Sequence, residues 1–125
     1  MRFQLFGVHS ALFWLAAFCA TPSFAQDKCL ETNVQSEPDK AVQYCTQKIE
    51  ADSWENDIEA ADTFAQRGIA LRELKQFEAS EADLLQAMTF DEAANILRML
   101  AWTYREDGKL AKAERIYTRV LKKDD

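Results

Sequence analysis

Residues 97–121 read LRMLAWTYREDGKLAKAERIYTRVL, and residues 64–88 read FAQRGIALRELKQFEASEADLLQAM. In both stretches apolar residues recur three and four positions apart, which is the spacing of one face of an α-helix. An offset of 33 residues aligns the two stretches, with small residues over small ones and large apolar residues over large ones. The aligned pairs are Phe64 with Leu97, Gly68 with Ala101, Leu71 with Tyr104, Phe77 with Leu110, Leu84 with Tyr117 and Ala87 with Val120. A period in the thirties is typical of a helical repeat.

The same periodicity predicts helices over residues 39–52, 58–75, 77–90, 92–106 and 110–123. No stretch alternates with period two for long enough to predict a strand. Short joints between the segments favour antiparallel packing of neighbouring helices. The sequence therefore predicts an all-α chain of about five helices. A five-helix bundle without repeat ancestry is the alternative, and the matched small positions favour the repeat.

The two stretches resemble the tetratricopeptide repeat (TPR) family, whose pattern has a large residue, Leu-Gly, an aromatic, and later Ala and an aromatic. The second unit reads Leu97-x2-Leu100-Ala101-x2-Tyr104, followed by Ala113-x3-Tyr117. The first unit reads Phe64-x2-Arg67-Gly68-x2-Leu71, followed by Ser80-x3-Leu84. It departs from the pattern at Arg67, where Leu is expected, at Ser80, where Ala is expected, and at Glu92, where the closing Pro is expected.

The resemblance implies an α-solenoid fragment built from antiparallel helix pairs. Residues 58–125 would form two degenerate TPR units. Residues 26–57 would form an N-terminal segment with one helix, similar to the second helix of a partial repeat. The segment QRGIA at residues 66–70, which follows a cysteine-bearing helix, also looks like small exported TPR proteins of bacteria.

The resemblance further implies a groove, lined by the first helix of each pair, that binds a peptide or protein segment. The groove residues carried over to this sequence are Ile69, Arg72, Arg98, Trp102 and Arg105. Arginine and tryptophan are frequent hot spots of binding. The opposing hypothesis is that Trp102 packs between repeats while the arginines pair with nearby carboxylates. A further alternative is a self-associating structural subunit whose exposed terminal helices mediate oligomerisation.

The first 25 residues have the three parts of a secretory signal peptide. Arg2 supplies the positive charge, residues 5–20 carry no charged side chain, and small residues at 23 and 25 precede a predicted cleavage between Ala25 and Gln26. The apolar run is shorter than the roughly 20 residues of a membrane-spanning helix. We therefore expect an exported protein, periplasmic or secreted. A retained N-terminal anchor is the alternative.

Removal of residues 1–25 leaves two cysteines, Cys29 and Cys45. An even number of cysteines in an exported chain indicates a disulfide, which here would stabilise the fold by roughly 3 kcal/mol. The competing interpretations are a redox-active pair, which usually has C-x-x-C spacing, and a metal site, which needs further ligands.

Enzyme classes find little support in the residues that remain. The chain from Gln26 onward contains no histidine, which is the usual general base at neutral pH. It has no nucleophile elbow and no phosphate-binding glycine loop. The net charge of −6 becomes −7 after loss of Arg2, which argues against nucleic acid and anionic membranes. We predict a non-catalytic protein without cofactor or metal, whose partner is a protein or peptide, with homo-oligomerisation as a further possibility.

The purified exported protein is expected to begin at Gln26, because signal peptidase cleaves after the small residue Ala25. Intact-mass measurement with N-terminal sequencing checks this. A mass that includes residues 1–25 would contradict cleavage and favour the retained anchor.

Overall fold

Six α-helices make up most of residues 24–123, which is the part of the chain that this computed structural model describes. They are α1 (Phe24–Glu31), α2 (Pro38–Glu50), α3 (Asp57–Glu73), α4 (Phe77–Phe90), α5 (Ala94–Glu106) and α6 (Leu110–Lys123). Residues 24–123 contain no strand, so the all-α prediction is confirmed. The bounds of α2 to α6 lie within two residues of the five predicted helices.

Helix α1 corrects the prediction that residues 26–57 hold one helix, since the structure has two there. The helix is short, and a disulfide between Cys29 and Cys45 fastens it to α2, with their Cα atoms 4.6 Å apart. Gln66 of α3 also donates a hydrogen bond to the carbonyl of Thr32, just after α1. These contacts come from other parts of the chain, so local periodicity did not reveal the helix. The predicted signal peptide lies outside the described residues, apart from positions 24 and 25 at the start of α1.

The six helices form three consecutive pairs, α1–α2, α3–α4 and α5–α6. Among residues 24–123 each helix packs on its neighbours along the chain, and α3 also contacts both α1 and α5. The first helices of the three pairs therefore form one layer and the second helices the other. This nearest-neighbour arrangement is that of a solenoid.

The turn inside each of the last two pairs has the same backbone form. Lys75 and Gly108, 33 residues apart, have φ values of 62° and 78°. In both turns the next amide reaches back to the helix: Gln76 donates to the carbonyl of Leu71, and Lys109 donates to that of Tyr104. A left-handed residue after a helix commonly ends it in this way. The repeat therefore extends from the side-chain pattern to the backbone.

Helices α3 and α4 cross closely at Gly68. A Cβ atom at this position would lie 3.0 Å from Cγ of Leu84 and 3.3 Å from the carbonyl oxygen of Ser80. Leu84 is fully buried over this crossing. A small residue is thus required where the repeat pattern places one.

Arg67, one of the three departures from the TPR pattern, forms an ion pair with Asp83 that explains the arginine at this position. Its Nε and Nη2 atoms lie 2.6 Å and 2.8 Å from the two carboxylate oxygens of Asp83 in α4. Its Nη1 donates to the hydroxyl of Thr46 in α2 at 3.2 Å. The hydrogen bonds to Asp83 raise the pKa of Arg67. The 33-residue offset maps Arg67 onto Leu100 and Asp83 onto Ile116, so an ion pair stands where the second unit has two apolar side chains.

Trp54, in the connection between α2 and α3, packs on the core. Its ring centroid lies 6.0 Å from that of Phe64 and 5.8 Å from that of Phe90. Asn56 caps α3 by accepting a hydrogen bond from the amide of Glu59. The acidic connection is therefore an ordered helix entry.

Replacement of Asp83 by alanine is expected to destabilise the protein by about 2 kcal/mol, because it leaves a largely buried guanidinium without its partner. The double variant Arg67→Leu, Asp83→Ile places the apolar pair of the second unit at this crossing. Its free energy of unfolding should lie no more than about 1 kcal/mol below that of wild type, or should exceed it. Urea unfolding followed by circular dichroism measures both. Ala82→Val, at an exposed position of α4, is the control, and wild-type stability of Asp83→Ala would contradict this role of the pair.

Candidate functional site

The predicted groove residues lie on α3 and α5, the adjacent first helices of the last two pairs. Arg98, Trp102 and Arg105 are exposed on α5, whereas Ile69 on α3 is half-buried. The sequence places Arg98, Trp102 and Arg105 on one helix face because they are spaced four and three residues apart. What it does not show is how α3 meets this face.

Arg72 lies beneath Trp102. The guanidinium carbon of Arg72 is 4.5 Å from the centroid of the indole ring, within the range of a cation–π contact. Only 4% of Arg72 is exposed, whereas 51% of Trp102 is exposed. The sequence predicts that both residues line the groove. The structure instead buries the arginine and leaves one face of the indole in solvent.

Two carboxylates complete the surroundings of Arg72. Its Nη2 lies 3.3 Å from Oε1 of Glu73, and its Nε lies 3.7 Å from Oε2 of Glu106, which is too far for a hydrogen bond. Trp102 in turn donates a hydrogen bond from Nε1 to Oε1 of Glu106 at 3.0 Å. The indole is therefore held on one face by Arg72 and at its edge by Glu106. We call Arg72, Trp102 and Glu106 the Trp102 cluster.

The other end of α3 is acidic. The carboxyl group of Asp62 is partly shielded from water, which raises its pKa, and the negative charges of Asp91 and Glu59 raise it further. Asp91 lies three residues before the start of α5, so these acidic side chains lie toward the start of both helices. The Trp102 cluster lies near their ends. The two ends of the predicted groove thus differ in charge and in apolar character.

A separate cleft of about 240 Å³ lies between α5 and α6, lined by Tyr104, Lys112, Arg115 and Ile116. The hydroxyl of Tyr104 donates to Glu81 at 2.9 Å, and Lys112 lies 3.8 Å from the same carboxylate. Burial raises the pKa of Tyr104 to about 12, with Glu81 adding to the effect. The sequence did not predict this cleft. The residues that line the cleft come from two helices, α5 and α6. The carboxylate of Glu81 partly neutralises the positive charge of Lys112 and Arg115 there.

A family model of the tetratricopeptide repeat matches residues 96–125. The match covers less than half of the chain, and together with the helical architecture it supports a TPR-type protein. Repeats of this type generally act as non-catalytic protein-interaction modules. Comparisons with curated proteins and with solved structures found no match.

Within residues 24–123 no helix is long and apolar enough to cross a membrane. The same residues contain no group of three or more histidine, cysteine or acidic side chains arranged to hold a metal ion. The predicted groove carries an indole, an aliphatic side chain and two exposed arginines.

Replacement of Arg72 by methionine is expected to free the indole of Trp102, because methionine fills similar space without the cation beneath the ring. In ¹⁵N relaxation measurements the order parameter of the Trp102 Nε1–H should fall from about 0.85 to below about 0.6. Arg105→Met is the control, because it removes an exposed arginine from α5, the helix that carries Trp102, and leaves Arg72 in place. An unchanged order parameter in Arg72→Met would show that Glu106 and the backbone suffice to hold the ring.

Proposed function

We propose that this protein is a non-catalytic adaptor of the periplasm that binds a segment of another protein along the groove between α3 and α5. The exposed but fixed side chain of Trp102 carries the proposal. It presents an aromatic face to solvent while Arg72 and Glu106 hold it from behind. A contact residue that is already immobilised loses little conformational entropy when a partner binds.

The surroundings of Trp102 indicate the chemistry of the bound segment. Ile69 extends the apolar surface on α3, and Arg98 and Arg105 place positive charge on both sides of the indole along α5. An apolar side chain of the partner would lie on the indole, with acidic side chains beside it. At the opposite end Asp62 and Asp91 favour basic side chains of the same segment.

Export to the periplasm rests on the sequence of residues 1–25, and the disulfide of the structure agrees with an oxidising compartment. In this proposal the disulfide stabilises the fold and does not contact the partner, because it joins α1 to α2 whereas the groove residues lie on α3 and α5. The partner would therefore be an exported protein, or a membrane protein with a segment outside the cytoplasm.

The double replacement Arg98→Ala, Trp102→Ala is expected to weaken partner binding at least tenfold, because it removes the aromatic anchor and a neighbouring charge. Partners are first identified in cells with a photo-crosslinking amino acid at position 105, beside the indole. Their affinity for wild type and variant is then measured with purified proteins.

Leu85 supplies the control for this experiment. It is exposed on α4, in the other layer of helices. A crosslinker at position 85 should capture different proteins or none, and Leu85→Ala should bind like wild type. If the folded double variant keeps every partner at wild-type affinity, the groove is not the binding site.

A further inference from the structure

Helix α6 has a second apolar face besides the one that packs on α5. Ala113 and Val120 are buried, whereas Leu110, Tyr117 and Leu121 are 65%, 39% and 68% exposed. The three exposed residues are seven and four positions apart, so they form one line along the helix. Glu114 lies in the same line, also exposed. We call Leu110, Glu114, Tyr117 and Leu121 the α6 stripe.

In the first repeat unit, the face of α4 that is equivalent to the α6 stripe packs against the next helix. The 33-residue offset maps the α6 stripe onto Phe77, Glu81, Leu84 and Met88 of α4. That face of α4 is covered by a helix: Leu84 lies in one buried cluster with residues of α5, and Met88 packs against it. Glu81 accepts a hydrogen bond from the hydroxyl of Tyr104 in α5. No helix within residues 24–123 covers the corresponding face of α6.

The α6 stripe is complementary to itself. Its members are four, three and four residues apart, so the order of spacings is the same in either direction. When two such helices run antiparallel, Leu110 faces Leu121 of the second copy, and Glu114 faces Tyr117. A tyrosine hydroxyl then lies opposite a glutamate, the pair that Tyr104 and Glu81 already form between α5 and α4. We propose that the protein forms a homodimer through antiparallel pairing of the α6 stripe.

The charges of α6 favour a second copy over an acidic partner helix. Five basic residues lie on this helix, and the helical angle of 100° per residue turns them to the side away from the stripe: Lys112, Arg115, Arg119, Lys122 and Lys123. Arg119 pairs with Glu92 within the same chain, and Lys123 lies 3.9 Å from that carboxylate. The positions that flank the stripe on its open side are Ala111 and Thr118, which are small and uncharged. Two copies therefore approach without bringing their basic side chains together, whereas an acidic helix would find no cation beside the stripe.

The expected dimer is weak. A single pair of helices buries less surface than the roughly 1,600 Å² of a standard stable interface. Association through this face is separate from the groove, because Trp102 lies on α5 and none of the α6 stripe belongs to the groove. The two proposals can thus fail independently.

Sedimentation velocity of the purified protein, diluted from about 1 mM to about 10 µM, should show a dimer that dissociates into monomers. Leu110→Glu and Leu121→Lys should each weaken dimerisation at least tenfold while preserving the circular dichroism spectrum, because both side chains are exposed. Leu85→Lys, a charge at an exposed leucine of α4, should dimerise like wild type.

Mixing the two stripe variants tests the direction of pairing. In an antiparallel dimer Glu at position 110 of one copy faces Lys at position 121 of the other, and the remaining two leucines still meet. An equimolar mixture of Leu110→Glu and Leu121→Lys should therefore dimerise at a total concentration at which each variant alone is mostly monomeric. A monomeric wild type at every concentration, stripe variants that dimerise normally, or a mixture without recovery would each overturn the proposal.

Discussion

The ion pair between Arg67 and Asp83 connects three of the six helices. Arg67 belongs to α3, Asp83 to α4, and the third contact of the guanidinium, Thr46, to α2. At the neighbouring residue, Gly68, even a Cβ atom would crowd Leu84 of α4. A desolvated ion pair requires good geometry to offset the loss of hydration, so this contact constrains the angle and separation of the helices more narrowly than an apolar pair would. The direction of α3, and with it the position of Arg72 under Trp102, depends on this crossing.

The sequence predicted most of the helices because the spacing of apolar residues and the short connections between helices are local properties of the chain. The periodicity of apolar residues locates α2 to α6, and the 33-residue offset relates one pair to the next. Helix α1 was missed because eight residues are too short for a clear periodicity, and because the contacts that hold it come from elsewhere in the chain: the disulfide from Cys45 of α2 and a hydrogen bond from Gln66 of α3. The left-handed backbone at Lys75 was also missed, since lysine carries none of the signal that Gly108 carries at the equivalent turn.

The candidate site was predicted only in part, for a related reason. Arg98, Trp102 and Arg105 share one helix, so their common face follows from their spacing. Arg72 comes from another helix, and its burial depends on how close α3 lies to α5. A sequence pattern ranks an arginine as a surface contact, whereas the packed structure uses this one as a support for an aromatic ring. The partner of Arg67 is sixteen residues away, and only the crossing of α3 and α4 brings the two side chains together.

The nearest-neighbour packing of the helices also determines how stability is distributed along the chain. In such an array an inner pair is supported from both sides and an outer helix from one side only, so local opening begins at the ends. The two ends of residues 24–123 are held differently. A covalent bond fastens α1 to α2, whereas α6 is held by side-chain packing on α5 and by ion pairs to Glu92. Among residues 24–123, we therefore expect local unfolding to begin at α6 and to reach the disulfide-bonded pair last.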